Sequence, residues 1–78
     1  MIRVKLFGLL RLDSGIREIE LEAGAVKDIY TELEKASDIL SAKKLDACVV
    51  LVNGGKANKN TRLSDGDEVS FLSPVAGG

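Results

Sequence analysis

Residues 2–10, IRVKLFGLL, alternate in character, with Ile2, Val4 and Leu6 on one side and Arg3, Lys5, Phe7 and Leu9 on the other. That is the two-residue period of a strand with one buried face. DSG at 13–15 has turn chemistry, and REIELEA at 17–23 alternates again with Ile19 and Leu21 inward, so the two segments are expected to form a hairpin. After Gly24 the rhythm changes. In AVKDIYTELEKASD, Val26, Ile29, Tyr30 and Leu33 follow the i, i+3, i+4, i+7 spacing of one helical face. Lys27, Asp28, Glu32, Glu34 and Lys35 take the wet side, and the spacing predicts a helix over about 25–37. Residues 38–46 are less patterned and suit a short helical turn carrying Ile39 and Leu45.

ACVVLVN at 47–53 is a continuous apolar run rich in valine, the pattern of a central strand. NGG at 53–55 is turn chemistry, with a very short strand expected around Lys56 and Ala57. NKNTRLSDGD reads as loop, and EVSFL at 68–72 is the last strand, with Val69 and Phe71 on one face and Ser70 and Leu72 on the other. The order β-β-α-β-(β)-β predicts an α+β domain: a mixed β-sheet of four to five strands with one main helix packed on one face. One helical stripe covers one sheet face only. Ile2, Val4, Leu6, Ile19, Leu21, Val69 and Phe71 are the natural core partners of Val26, Ile29, Tyr30 and Leu33. Phe7, Leu9 and Leu72, with one parity of CVVLV, are left on the opposite face, where several apolar side chains together make a candidate docking patch.

Seventy-eight residues make one domain near the lower size limit of a single core, and 45% hydrophobic with 29% charged residues argues against disorder. A net charge of -1 gives no general attraction to nucleic acid or an anionic membrane, so neither is an expected partner. No apolar run is long enough to cross a bilayer. MIRVKLFGLLRLDSG superficially mimics a signal peptide, but its charges alternate with apolar residues and no small-residue cleavage site follows. The single cysteine, Cys48, excludes an intrachain disulfide and fits a reducing, cytoplasmic setting. Within an apolar strand it reads as core filler rather than a sulfur donor. The chain has no histidine, hence no imidazole base and no histidine metal ligand. One cysteine holds neither a structural zinc nor an iron–sulfur cluster, and no glycine-rich phosphate loop occurs. The expectation is no metal and no bound cofactor. The chain reads as a carrier, adaptor or binding module rather than an enzyme acting alone.

The element order together with LSDGDEVSFLSPVAGG at 63–78 resembles the small ubiquitin-like sulfur carriers. That group includes the small subunit of molybdopterin synthase and the thiamine-pathway sulfur carrier. DGDEV at 65–69 and PVAGG at 74–78 carry the resemblance most specifically. It implies a β-grasp (ubiquitin-like) domain at 1–72 and a flexible Gly-Gly tail at 73–78. Ser73 stands where a second proline often precedes Pro74, and 38–46 is short; both departures bear on the pathway served, not on the fold. The resemblance further implies that an adenylating enzyme, similar to ubiquitin-activating proteins, uses ATP to activate the carboxylate of Gly78. Sulfur delivery would then give a thiocarboxylate. The molybdopterin synthase large subunit, or another sulfur-accepting enzyme, would consume it. Gly78 and Gly77 are then the reacting end, and Phe7, Leu9, Leu72, Pro74, Val75 and Ala76 are candidate partner-binding residues.

The residues make sense of that chemistry. A terminal carboxyl group titrates at about 3.3 to 3.7, so it is an ionised nucleophile near neutral pH. Glycines at 77 and 78 have no Cβ and let backbone enter a narrow channel. Ser73 to Gly78 can extend roughly 20 Å at about 3.3 to 3.6 Å per residue. Pro74 biases Ser73 toward extended backbone, although alone it reads equally well as a strand terminator. Residues 75–78 have too little apolar area to offset an ordering cost of about 1 to 2 kcal/mol each, so disorder is expected there in the isolated domain. Lys5, Lys56, Lys59 and Arg62 read as solvated charge. Sulfur supply for molybdopterin is the leading function. Supply for thiamine or another sulfur metabolite, conjugation to target lysines through Gly78, and an adaptor with an inert tail are the alternatives.

Overall fold

The computed structural model describes residues 1–73. The alternating segments form β1 (Ile2–Phe7) and β2 (Glu18–Leu21), and the valine-rich run forms β3 (Val49–Val52). The short segment after the NGG turn is β4 (Gly55–Ala57), and the last strand is β5 (Glu68–Leu72). They make one mixed sheet in the order β2-β1-β5-β3-β4, with β1 and β5 parallel and the other pairs antiparallel. Three helices, α1 (Leu9–Ser14), α2 (Val26–Ala36) and α3 (Ala42–Asp46), complete the α+β domain. The five-stranded mixed sheet and the main helix are as expected.

Phe71 sits at the centre of the core. It is fully buried, its neighbours across the sheet are Leu6 and Val50, and its ring centroid lies 5.9 Å from that of Tyr30 on α2. Val26, Ile29 and Leu33 of α2 are fully buried against Ile2, Val4, Leu6 and Val69, and Leu21 is buried with Ile19 partly so. The first N–H groups of α2 find their acceptors outside the helix: Val26 donates to the Thr61 carbonyl (3.0 Å) and Lys27 to the Lys59 carbonyl (2.9 Å). Ala25 has no side-chain acceptor, so only the second half of a capping box forms, with Asp28 accepting from the Ala25 N–H at 3.1 Å. The loop after β4 thus closes the start of the main helix.

Three expectations need correction. Residues 9–14 are a helix, not the end of a strand and a tight hairpin turn. Gly8, at φ 68° and ψ -139°, breaks the extended run, and Gly15, at φ 74°, ends α1 in the left-handed conformation. Leu10 still reaches the core, because a spacing of four residues from Leu6 satisfies both a strand and a helix period. Secondly, the segment before α3 buries Leu40 and leaves Ile39 exposed; Leu45 is buried as expected. Leu40 follows the turn closed by its own N–H to the Ser37 carbonyl (3.1 Å) and joins the core cluster. Thirdly, the middle strand is β5, with β3 beside it and only the three-residue β4 beyond. The apolar run is buried on one side only: Val50 faces the helices and Val49 is exposed.

Cys48 is half-buried against the core, its thiol within 3.3 Å of the Lys44 carbonyl, and burial raises its pKa. That is the environment of a packing thiol. Lys59 is held at 2.8 Å from Asp46 and lies 5.5 Å above the Tyr30 ring, joining the loop, α3 and α2. Lys5 pairs with Glu68 at 3.4 Å.

Two outcomes follow from this packing. Phe71→Ala should lose about 3 to 5 kcal/mol of stability, read from urea midpoints, since the whole ring leaves the centre of the core. Tyr30 should titrate abnormally, because burial first, and then the hydrogen bond and charge of Asp46, push its pKa to about 12. The unfolded value is about 10, so the folded state holds the phenolic proton more tightly. This contribution to stability is complete below the unfolded pKa and is lost as pH rises from about 10 toward 12. An ultraviolet titration of the single tyrosine should show the high midpoint, and one near 10 would contradict the packing.

Candidate functional site

Side chains alternate across a sheet, so burial of Ile2, Val4 and Leu6 sends Arg3, Lys5 and Phe7 to the other face. The register then builds three rows on that open face. Phe7 lies beside Leu72, and Leu72 beside Val49. Lys5 lies beside Ser70, which neighbours Leu51, and Arg3 lies beside Glu68. The face is therefore divided along the strands. At the end where β5 begins, Arg3 pairs with Glu18 (3.5 Å) and Lys5 with Glu68 (3.4 Å). At the end where β5 finishes, Phe7 and Val49 are exposed by 38% and 46%, and Leu72 is partly exposed between them.

This row answers the parity expectation for Phe7 and Leu72, which are adjacent and accessible on the face away from the helices. Leu9 is different. It is the first residue of α1 rather than a strand residue, and its exposure of 36% comes from the helix surface. It lines a hollow of about 170 Å³ with Leu10, Asp13, Lys44, Ala47 and Ser73, at the same end of the sheet but off the open face. Strand parity fails for Leu9 because Gly8 intervenes. Val49 completes the row. It belonged to an apolar run in which either parity looked equally buried, so only its pairing with Leu72 singles it out.

Ser73 is the residue that sequence patterning missed. Directly after β5, its hydroxyl donates to the Phe7 carbonyl (2.8 Å) and accepts from the Leu10 N–H (3.2 Å). It thereby ties the end of the last strand to the turn that follows the first. The only hint in the sequence is a glycine interrupting an alternating run. Pro74, Val75, Ala76, Gly77 and Gly78 lie outside the described residues, as does the expected disorder of 75–78. Among the described residues, no group of three or more potential metal ligands forms, and no helix is long and apolar enough to cross a membrane.

The arrangement is similar to that of known proteins. SAMP1 (small archaeal modifier protein 1) from Haloferax volcanii superposes with a TM-score of 0.86 at 28% identity, over 99% of this chain and 98% of that one. The complex of subunits 1 and 2 of molybdopterin-converting factor from Helicobacter pylori contains a chain matched at TM-score 0.72 and 29% identity, with 99% and 97% covered. A putative molybdopterin-converting factor subunit 1 from Pyrococcus furiosus matches at TM-score 0.74 and 30% identity, over 95% and 97%. A comparison with curated protein sequences gives no match. The ThiS family model matches residues 4–78. With a ubiquitin-like β-grasp fold and a family match over nearly its whole length, the chain belongs to the ThiS family of small ubiquitin-like sulfur carriers.

Proposed function

We propose that this chain carries sulfur for molybdopterin biosynthesis as a thiocarboxylate on Gly78. The observation that carries the proposal is the apolar row of Phe7, Leu72 and Val49 at the end of β5, from which the sequence runs on into PVAGG. A partner seated on that row receives the following residues alongside it. Leu9 widens the apolar surface at the same end of the domain. The relatives described as molybdopterin-converting factor subunits support the pathway, and the Helicobacter pylori structure holds two such subunits together.

The chemistry belongs to the main-chain terminus. The Gly78 carboxylate attacks the α-phosphorus of ATP on an activating enzyme similar to ubiquitin-activating proteins, and pyrophosphate leaves. A sulfide equivalent then attacks the acyl adenylate, AMP leaves, and the product is the thiocarboxylate. On the accepting partner, in this proposal a molybdopterin synthase large subunit, the sulfur bonds to the acceptor, and water then cleaves the acyl–sulfur bond and restores the Gly78 carboxylate. Gly77 and Gly78 give that end the slim profile a narrow channel requires, with Pro74, Val75 and Ala76 as the stretch lying along the partner. ATP is bound by the activating enzyme, so the carrier needs no cofactor of its own. ATP-dependent activation and the free thiol of Cys48 both suit the cytoplasm.

Similarity to SAMP1 favours a second reading. In it the activated acyl group passes to a lysine amine of a target, forming an isopeptide as AMP leaves. Mass spectrometry of protein from its native host separates the two: exchange of one oxygen for sulfur marks the carrier, and lysine-linked adducts mark the modifier. Supply of sulfur for thiamine or another metabolite uses the same terminus and differs only in the accepting enzyme.

Phe7→Asp and Leu72→Asp should each weaken partner binding by more than about 1 kcal/mol, measured by calorimetry with the accepting subunit. Their melting temperatures should stay within a few degrees of the original, because neither side chain fills the core. Unfolding of either variant would contradict the assigned face. Deleting Gly78 should abolish ATP–pyrophosphate exchange with the activating enzyme and leave the melting temperature unchanged. The deletion draws the carboxylate back by up to ~3.6 Å, and a misplacement of about 1 Å already costs on the order of a hundredfold. Normal exchange by the shortened chain would sink the carrier proposal.

A further inference from the structure

We infer that Ser73 is a positioning residue, whose hydroxyl latches the root of the tail to the β1–α1 turn and sets where the reactive terminus leaves the domain. The inference rests on the carrier proposal and adds to it a residue whose side chain reaches no reacting atom. Its basis is a hydroxyl that both donates and accepts. Ser73 Oγ donates to the Phe7 carbonyl at 2.8 Å and accepts from the Leu10 N–H at 3.2 Å, so donor and acceptor both engage backbone of one turn.

The turn is built to receive it. The first N–H groups of a helix need acceptors from outside its own ladder, and the residue before α1 normally supplies one from its side chain. Here that residue is Gly8, which has none, and Ser73 provides the oxygen from the far end of the chain. Gly8 is also the residue that makes room. A Cβ at that position would stand 2.5 Å from Ser73 Oγ and 3.0 Å from the Ser73 carbonyl oxygen, and φ there is +68°. Glycine at 8 and a hydroxyl at 73 are therefore matched to each other.

The latch lies where it can act on the terminus. Leu72 is the last residue of β5 paired on both sides, to Phe7 and to Val49. Ser73 is the next residue, just outside the strand, and its hydroxyl adds a side-chain hold on the turn after β1. The following residue is Pro74, which confines the backbone of the residue before it to extended geometry. Latch and proline thus act on the same residue, one through its side chain and the other through its backbone. A partner docked on Phe7, Leu72 and Val49 meets a tail root already held at Ser73. Where the latch is absent, the partner must order that residue itself, and binding is weakened accordingly.

A plain helix cap would contribute to stability and leave the activating enzyme indifferent, so the test measures both. In ATP–pyrophosphate exchange, Ser73→Ala should raise the KM for the carrier about fivefold to tenfold, from one residue's ordering cost, with kcat unchanged once the tail is held. Ser73→Thr, which keeps a hydroxyl, should restore most of the original KM. Circular dichroism and melting temperature establish that each variant is folded at the assay temperature. Equal KM values for the original and a folded Ser73→Ala chain would overturn the positioning role while leaving the carrier proposal intact. Absence of exchange by the original chain would overturn the carrier proposal and this role with it. The isolated domain gives an independent reading that needs no variant: the Ser73 amide should show an order parameter near 0.85, and a value below about 0.6 overturns the latch.

Discussion

Parallel pairing of β1 with β5 joins the two ends of the chain at the centre of the sheet, and the other layers are arranged around that contact. Its register, Arg3 with Glu68 through Phe7 with Leu72, sets Leu6 beside Phe71 under α2 and leaves Phe7 beside Leu72 on the open side. A one-residue slip would exchange those faces. The pairing closes almost the whole chain into a loop, which costs entropy that grows slowly with length, and burial of Phe71, Leu6, Val4 and Val69 offsets it. A last strand at the centre, rather than at an edge, is held on both sides by β1 and β3. That gives the residues after it a firm anchor in a domain whose terminus would otherwise fray.

The open face follows from the scarcity of helix. The buried side chains of α1, α2 and α3 all join a single core cluster on one side of the sheet, so the other side meets water. Charged residues at one end of that face manage it with exposed ion pairs, such as Arg3 with Glu18 and Lys5 with Glu68, each worth little in stability. At the other end Phe7, Leu72 and Val49 have no such compensation. Exposed apolar residues scattered singly need no explanation, but a row of three beside the chain's exit from the sheet is a surface suited to being covered. Folding uses one parity of these strands, and the proposed docking would use the other.

Both helix starts nearest the sheet are completed from a distance. The first N–H groups of α2 donate to Thr61 and Lys59 carbonyls in the loop after β4, and α1 borrows the hydroxyl of Ser73. In a domain this small, unsatisfied backbone groups are costly, and a segment that caps a helix is held in place by doing so. The loop gains a reason for its path, and the tail root gains a fixed origin.

The period of apolar residues alone was enough to find β1, β2, α2 and β5 and to separate Phe71 and Val69 from Leu72, because alternation and helical spacing are local properties of the chain. PVAGG and the DGDEV turn were enough to suggest the family. Where two periods coincide, local pattern is silent: Leu10 suits a strand or a helix equally, and only the positive φ of Gly8 decides for α1. The valine run at 49–52 has no polar parity to orient it, so its exposed side was chosen by pairing with β5. Leu40, one position from Ile39, was placed by packing into the core rather than by spacing. The bond from Ser73 to the β1–α1 turn depends on a contact between residues at opposite ends of the sequence, and such a contact has no local period to betray it. Tertiary structure decided it, since a hydroxyl finds its partners only after the sheet has brought them within hydrogen-bonding distance.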